Sequence, residues 1–151
     1  MSNLWQSLAT FWRDAGITNR AGVDPSKIQA FESKYGVRLP NDMQEYFLTV
    51  DGMEELPFDP AYNRFWPLAM VKPVSEELSE NHSDSLALPG CFLFVDHLIW
   101  SFAWAVELQN EPSELSGPVF QVTGGDHPVR QIAPSFTAFM EMYLQNPFSI
   151  L

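Results

Sequence analysis

The clearest strand pattern in the chain runs from Leu98 to Leu108, with the sequence LIWSFAWAVEL. Large side chains occupy every second position, and the residues between them are mostly small. Because successive side chains of a strand point to opposite faces, this period of two predicts one strand over Leu98–Leu108. Its large groups, Trp100 and Trp104 among them, would share one face of a sheet. The small face would let a helix approach closely.

Three helices are predicted ahead of this strand. The first spans Leu4–Ala15, where apolar residues recur at helical spacing. The second runs from about residue 24 to 36, with Gly36 in the left-handed position that ends many helices. The third starts at residues 40–42 and is predicted to end at Gly52.

Further strands and a closing helix are predicted after the third helix. Pro67 interrupts a short strand at Arg64–Val71 and therefore places it near a sheet edge. The later elements are a loop at Asn81–Ser85, strands at Pro118–Thr123 and Val129–Ala133 with a turn at Gly124–Asp126, and a helix capped by Ser135. This order predicts the α+β class, with N-terminal helices, a central, mainly antiparallel sheet and a C-terminal helix packed on it.

Length and composition favour one domain over residues 1–151, since 151 residues with 46% hydrophobic content supply one core. The single cysteine, Cys91, excludes an intrachain disulfide and is typical of a small buried hydrophobe. The start at Met1–Gln6 lacks a signal-peptide pattern, and no apolar run reaches the ~18–20 residues that span a bilayer. We therefore expect a cytoplasmic protein.

The net charge of −11 is unevenly distributed: residues 1–72 carry −2, and residues 73–151 carry −9 with Arg130 as their one base. Nucleic acid and anionic membranes are therefore excluded as expected partners, because both bind cations. A basic protein is the natural complement, although acidity also serves solubility alone. The oligomeric state stays open between a monomer and a weak dimer.

A search for catalytic motifs is largely negative. The chain has neither a Gly-rich phosphate loop nor a Gly-x-Ser-x-Gly elbow. Asp96-His97 and Asp126-His127 could hold zinc if two strand ends met, but polar strand ends are the simpler interpretation. We predict no catalytic residue, no metal and no cofactor, and we expect a protein that is not an enzyme.

One stretch resembles the opening of the SUKH superfamily, a group named partly after a fungal regulator of cell-wall synthesis. It comprises Ile28–Asp42, Tyr46-Phe47-Leu48 and Asp51-Gly52. Later similar pieces are Phe65-Trp66-Pro67-Leu68, Phe94-Val95-Asp96, Val119-Phe120 and Ala133-Pro134-Ser135-Phe136. The resemblance covers about residues 28–144 and leaves 1–24 as an N-terminal helical extension. Where that family often carries a Gly/Asp-rich turn, this chain has His97-Leu98-Ile99-Trp100.

The resemblance implies an α+β domain without known catalytic residues. Most bacterial relatives are immunity proteins that bind and neutralise a toxin domain, often a nuclease, and fungal relatives act as interaction hubs. We therefore expect an immunity-type protein that binds a cognate toxin, a basic nuclease, or another basic protein. The alternative is a regulatory scaffold or small-ligand module of the same fold, with a pocket against the Trp100/Trp104 face, which could equally be core.

The predicted contact surface consists of acids in three polar segments with one aromatic anchor. For the anchor, Trp66, ordinary core packing is the alternative. The predicted contact residues are Asp51, Glu54, Glu55, Asp59, Trp66, Glu76, Glu77, Glu80, Asp84, Glu111 and Glu114.

Overall fold

The predicted α+β class is confirmed by a computed structural model, which describes residues 4–125 and 128–151. The helices of the described part are α1 Leu4–Asp14, α2 Pro25–Tyr35, α3 Asn41–Thr49, α4 Val74–Glu77, α5 Ser83–Ala87 and α6 Phe136–Gln145. The strands are β1 Asn19–Ala21, β2 Val50–Met53, β3 Asn63–Phe65, β4 Lys72–Pro73, β5 Cys91–His97, β6 Phe102–Glu107, β7 Val119–Val122 and β8 Arg130–Ala133. A 3₁₀ turn spans Leu68–Met70.

Within the described residues, six strands form the main sheet, which is antiparallel in the order β3-β5-β6-β7-β8, with β4 also pairing with β5. All seven residues of β5 are buried. A β-bulge near Phe94 turns this side chain toward α6, where its ring packs against Phe136 and Phe139. Phe92 packs instead against Phe31 of α2. Helices therefore cover the middle of the sheet.

The predicted strand over Leu98–Leu108 is wrong in its first third. Leu98–Ser101 forms the turn between β5 and β6, and the strand begins at Phe102. Trp104 is fully buried, whereas Trp100 lies in the turn, so the two rings do not follow one strand. The period of two continued into the turn because Leu98, Ile99 and Trp100 are apolar and none of them is a typical turn residue.

The third helix ends earlier than predicted, since α3 stops at Thr49 and leads directly into β2. Gly52 therefore lies in a strand and does not end a helix. Its φ is 66°, and a Cβ built on it would lie 2.6 Å from the carbonyl oxygen of Trp66. This close passage of two backbones, together with a β1–β2 pair that the sequence did not suggest, required the tertiary structure.

Shorter elements also differ from the prediction. The segment Arg64–Val71 is divided at Pro67 into β3 and the 3₁₀ turn, and β3 does lie at the sheet edge. The predicted loop at Asn81–Ser85 instead leads into α5. The strands predicted at Pro118–Thr123 and Val129–Ala133 correspond to β7 and β8, while Asp126 of their predicted turn lies outside the described residues.

The N-terminal helix contributes to the core. Trp5, Leu8 and Trp12 of α1 are buried, and Trp12 Nε1 donates a hydrogen bond to the Tyr143 hydroxyl of α6 at 2.9 Å. Ser135 caps α6 as predicted, accepting from the Ala138 amide. Among the described residues, no helix is long and apolar enough to cross a membrane.

Candidate binding surface

The predicted contact residues divide into an exposed and a buried set. The exposed ones are Glu54, Glu55, Glu76, Glu77, Glu80, Glu111 and Glu114. The prediction that the aspartates lie on the surface is wrong, because Asp51, Asp59 and Asp84 are all buried. Trp66 is buried too, so the core-packing alternative holds for it. Each of these aspartate carboxylates accepts a hydrogen bond from a backbone amide of the protein.

Asp51 and Asp84 each fasten one segment of the fold to another. Asp51 accepts a hydrogen bond from the Leu68 amide at 2.7 Å and so holds the start of the 3₁₀ turn. Asp84 accepts from the Gly124 amide at 3.0 Å, which ties α5 to the segment after β7. Removing either carboxylate would leave a partly buried amide without its acceptor.

Asp59 is the centre of a buried polar cluster. Its carboxylate accepts hydrogen bonds from the amides of Ala61 and Asn63 and from the Tyr143 hydroxyl. Asn63 in turn lies 2.9 Å from His97 Nδ1, so that nitrogen carries a proton and donates to the amide oxygen. Burial raises the pKa of Asp59, and these hydrogen bonds oppose the shift. The cluster joins α6, β3 and β5.

Trp66 is held inside the protein by its own polar atom. The indole Nε1 donates to the Asp96 carboxylate, and Lys72 Nζ lies 5.9 Å from the centre of the ring. Lys72 also pairs with Glu77 at 2.5 Å. Trp66 is therefore already satisfied within the protein and cannot act as an exposed anchor without unfolding its surroundings.

The exposed glutamates lie in three separate parts of the chain: Glu54 and Glu55 after β2, Glu76, Glu77 and Glu80 in and after α4, and Glu111 and Glu114 in the loop before β7. The loop before β7 is fastened to the start of α3, where the Asn41 amide donates to the Ser113 carbonyl oxygen. Glu55 borders an apolar groove, which gives this group a neighbouring surface that can bury a partner's side chain.

The turn between β5 and β6 is the most unusual backbone in the described residues. Leu98, Ile99 and Trp100 have φ angles of 48°, 52° and 67°, although none of them is glycine. For a β-branched residue such as Ile99, this left-handed conformation is a genuine outlier. Hydrogen bonds from the Leu98 amide to the Tyr62 carbonyl and from the Ser101 amide to the His97 carbonyl hold it in place.

The 98–100 turn presents apolar side chains to solvent. Ile99 is 82% exposed, and Leu98 is also largely exposed. On the loop after β2, Leu56 is 65% exposed, and it lines the same groove as Ile99. The strained backbone and the exposure of a large apolar side chain each lower the stability of the fold. Their combination at Ile99 therefore points to a role other than stabilising the fold.

A groove of about 320 Å³ lies beside the turn, and we call it the turn groove. It is lined by Glu55, Leu56, Phe58, Arg64, Met70, Asp96, Ile99 and Trp100. Two buried donors in these residues, Trp100 Nε1 and Arg64 Nε, have no hydrogen-bond partner among the described residues. A buried donor costs about 1–3 kcal/mol when it is left unpaired.

One feature of the sequence pointed to this surface, although the same residues were predicted to belong to a strand. The apolar run His97-Leu98-Ile99-Trp100 stands where the resembling family often has a Gly/Asp-rich turn. A turn position occupied by apolar residues indicates that something other than turn formation selects them. The contribution of the segment around Leu56 had no comparable signal, since its loop meets the turn through tertiary packing alone.

Groups that could carry chemistry are engaged in the fold. Asp96 accepts from Trp66, His97 pairs with Asn63, and burial raises the pKa of the Cys91 thiol to about 12. Among the described residues, no cluster of three or more potential metal ligands occurs. Asp126 and His127, the other half of the zinc pair considered above, lie outside the described residues.

A family model matches residues 22–142, most of the chain, and its description is the SMI1/KNR4 family (SUKH-1). The chain therefore belongs to the SMI1/KNR4 family of the SUKH group, and the predicted resemblance is confirmed. No curated protein sequence matches the chain. The matched region begins after α1 and contains both the 98–100 turn and the turn groove.

Proposed function

We propose that this protein is an immunity-type binder that neutralises a cognate bacterial toxin domain, a basic nuclease, by covering part of its surface. The observation that carries the proposal is the 98–100 turn, where Ile99 is held out into solvent by a strained backbone. Membership of the SMI1/KNR4 family supports a role in protein–protein interaction. The net charge of −11 supports a basic partner.

In this proposal Ile99 and Leu56 form the apolar centre of the interface. Burial of a large aliphatic side chain contributes about 1.5–3 kcal/mol, which is the size of a strong interface contact. The Trp100 side chain also lines the groove and would add aromatic surface to this centre. Glu55 borders this centre, with Glu54 next to it in the chain, and the two exposed carboxylates would meet basic side chains at the rim.

Neutralisation by covering a surface needs no reaction, so the proposal includes no catalytic step. It places the protein in the cytoplasm, where a nuclease would meet its substrate. Nucleic acid and anionic membranes are not among the proposed partners, because residues 73–151 carry −9 and would repel both.

The direct test is co-expression and binding with the toxin domain encoded next to this gene. Ile99→Asp should weaken the complex at least 100-fold in Kd, because a carboxylate would replace the central apolar contact. Leu86→Asp is the matched control, since Leu86 is also an exposed aliphatic residue, 67% exposed, but lies in α5 away from the groove residues. The control should stay within about threefold of the parent protein.

Two results would count against the proposal. If the neighbouring toxin domain neither binds nor is neutralised, the immunity role fails. If Ile99→Asp and Leu86→Asp weaken binding equally, the complex exists but the 98–100 turn is not its centre. Thermal unfolding of both variants checks that neither result comes from loss of the fold.

The second candidate, a small-ligand module, requires a different site from the one first expected. The pocket predicted against the Trp100/Trp104 face does not include Trp104, which is fully buried and donates to the Ile150 carbonyl oxygen. A separate cleft lies beside α2, and it is lined by a different set of basic and apolar residues from those of the turn groove.

A further inference from the structure

A cleft of about 420 Å³, which we call the α2 cleft, lies between α2 and the 3₁₀ turn. One face of α2 forms its first wall, with Lys27, Phe31 and Lys34 at helical spacing. Leu68 and Val71, at the two ends of the 3₁₀ turn, form the opposite wall. A volume in the range of about 300–1,000 Å³ is typical of small-molecule sites.

The walls of the α2 cleft combine apolar side chains with a cationic rim. Phe31, Leu68 and Val71 supply apolar surface to the cleft. Three of the eight basic residues of the chain, Arg20, Lys27 and Lys34, also line it. In a protein of net charge −11, these cations give the rim of the apolar wall a basic character.

Of the three cations of the cleft, Arg20 is paired with the acid that also lines it, Asp51. One oxygen of Asp51 accepts from the Leu68 amide, and the other faces Arg20 Nε at 3.5 Å. Arg20 also pairs with Glu54 at 3.2 Å. Lys27 and Lys34 have no ion pair within 4 Å among the described residues.

We propose that the α2 cleft binds an amphipathic organic anion, a carboxylate with a hydrocarbon body. The hydrocarbon would lie against Phe31, Leu68 and Val71, and the carboxylate would meet the ammonium groups of Lys27 and Lys34. These two residues are seven positions apart, or about 10.5 Å along the helix, and their long flexible side chains can converge on one carboxylate. Burial of the hydrocarbon supplies affinity, and the lysines select the charge.

Decanoate is the probe for the test, with decyltrimethylammonium as a cationic molecule of the same chain length. Titration of the full chain, followed by methyl NMR, should show saturable binding of decanoate with shifts at Leu68 and Val71. The cationic probe should leave those methyl groups unshifted, although the net charge of the protein favours cations. Failure of decanoate to bind, or shifts confined to other methyl groups, would overturn the proposal.

Substitutions with equal change in charge test the role of the lysines. The pair Lys27→Gln and Lys34→Gln should weaken decanoate binding at least tenfold. The control pair Arg13→Gln and Arg130→Gln removes the same charge from exposed positions outside the cleft and should change binding less than twofold. Equal loss in both pairs would mean that net charge alone acts, and would refute a site at α2.

A blocking substitution gives an independent check. Ala69 lies in the 3₁₀ turn, is exposed and lines the cleft, so Ala69→Trp fills the space without disturbing the core. Decanoate binding should then be lost while toxin binding through the 98–100 turn is unchanged. Retained decanoate affinity in Ala69→Trp would contradict the assignment of the ligand to this cleft.

Discussion

Gly52 and Gly36 show how one residue type serves two structural needs. Both have a left-handed backbone, with φ of 66° and 67°. Gly36 ends α2 with open space around it, whereas Gly52 has the Trp66 carbonyl group 2.6 Å from where its Cβ would lie. The sequence predicts a glycine at the end of α2 from the spacing of the helix residues. The need for glycine at position 52 arises only because the backbone of Trp66 passes close to it in the folded protein.

This difference predicts unequal effects of alanine at the two positions. Gly36→Ala should lower the free energy of unfolding by about 1–2 kcal/mol through backbone strain alone. Gly52→Ala should lower it by about 3–5 kcal/mol, because β2 or the segment at Trp66 must also move to relieve overlap. Urea denaturation of both variants measures the difference, and equal losses would contradict the close approach at Gly52.

His97 makes stability depend on pH in a defined direction. Burial lowers the pKa of His97, and the charges of Asp59 and Asp96 oppose the shift. The unfolded chain therefore binds the proton more readily than the folded protein. The contribution of His97 is complete above the ordinary histidine pKa of about 6.5 and is lost as the pH falls from there toward the lower folded value.

We expect the free energy of unfolding to fall between pH 8 and pH 5.5, and His97→Asn to flatten that slope. The asparagine amide can still donate to Asn63, so the cluster keeps its hydrogen bond while the titrating ring is gone. Asp42 and Asp59 have raised pKa values, and their effect has the opposite sign in more acidic solution. An unchanged slope in His97→Asn would show that another group causes the pH dependence.

Among the elements, the 98–100 turn carries residues that are unfavourable for its backbone conformation but suited to the proposed binding surface. Its left-handed backbone is shaped by hydrogen bonds to Tyr62 and His97; Trp100 packs partly against the core, whereas Leu98 and Ile99 are exposed. Elements that serve only stability are expected to carry residues suited to their conformation. Ile99 is not suited to its φ of 52°, so this turn is the element whose residue types fit their backbone conformation worst.

Ile99→Gly should therefore stabilise the protein while weakening its binding. Relief of the strained conformation should raise the free energy of unfolding by about 1 kcal/mol, because glycine adopts positive φ without steric cost. Ile99→Ala is the matched control, since it removes the same exposed side chain and keeps a Cβ. Both variants should lose toxin affinity, but Ile99→Ala should gain less stability; identical stabilities would refute backbone strain at this residue.

The helix α1 shows that the hydrophobic core extends beyond the residues that the family model matches. The family model begins at residue 22, yet Trp12 of α1 is fully buried and its Nε1 bonds to Tyr143. Tyr143 then donates to Asp59, so α1 is connected to the buried cluster beneath β3 and β5. A helix outside the matched region thus helps to hold the elements that present the turn.

At the scale of the whole molecule, acidity and apolar exposure act on different steps of association. The exposed glutamates extend the field that attracts a basic partner, and this field is screened by salt beyond about 10 Å at 0.1 M. In the proposed complex, the apolar residues at the 98–100 turn would act after contact and determine how long the complex lasts. The three groups of glutamates lie in different parts of the chain, so each group can be tested separately.

Charge reversal next to the turn groove should slow association most. Glu54→Lys with Glu55→Lys should lower the association rate with a basic toxin domain about tenfold at low salt and flatten its salt dependence. Glu111→Lys with Glu114→Lys makes the same change in net charge beside α3 and should have a smaller effect. Stopped-flow measurements of the association rate test this prediction. A larger effect of the second pair would indicate that the interface lies at the loop before β7 and not at the turn groove.

Much of this fold could be predicted from local patterns. Asp24 and Gly36 bound α2, Ser135 caps α6, and Pro67 places β3 at an edge, since caps, breakers and apolar spacing act over a few residues. The candidate site was predicted less well. Glutamates were placed on the surface correctly, but Asp51, Asp59 and Asp84 were not, because each of these buried carboxylates has a hydrogen-bond donor distant in sequence, at Leu68, Tyr143 and Gly124 respectively.

The sequence by itself determined the α+β class, the main helices, the family and the acidic character, because each follows from residue type and near-neighbour spacing. The tertiary structure alone decided that the run from Leu98 begins as a turn and that Ile99 meets Leu56 at one groove. It also decided that three cations surround the α2 cleft. Strand pairing and helix packing bring these residues together across long stretches of chain, and no short-range pattern records that approach.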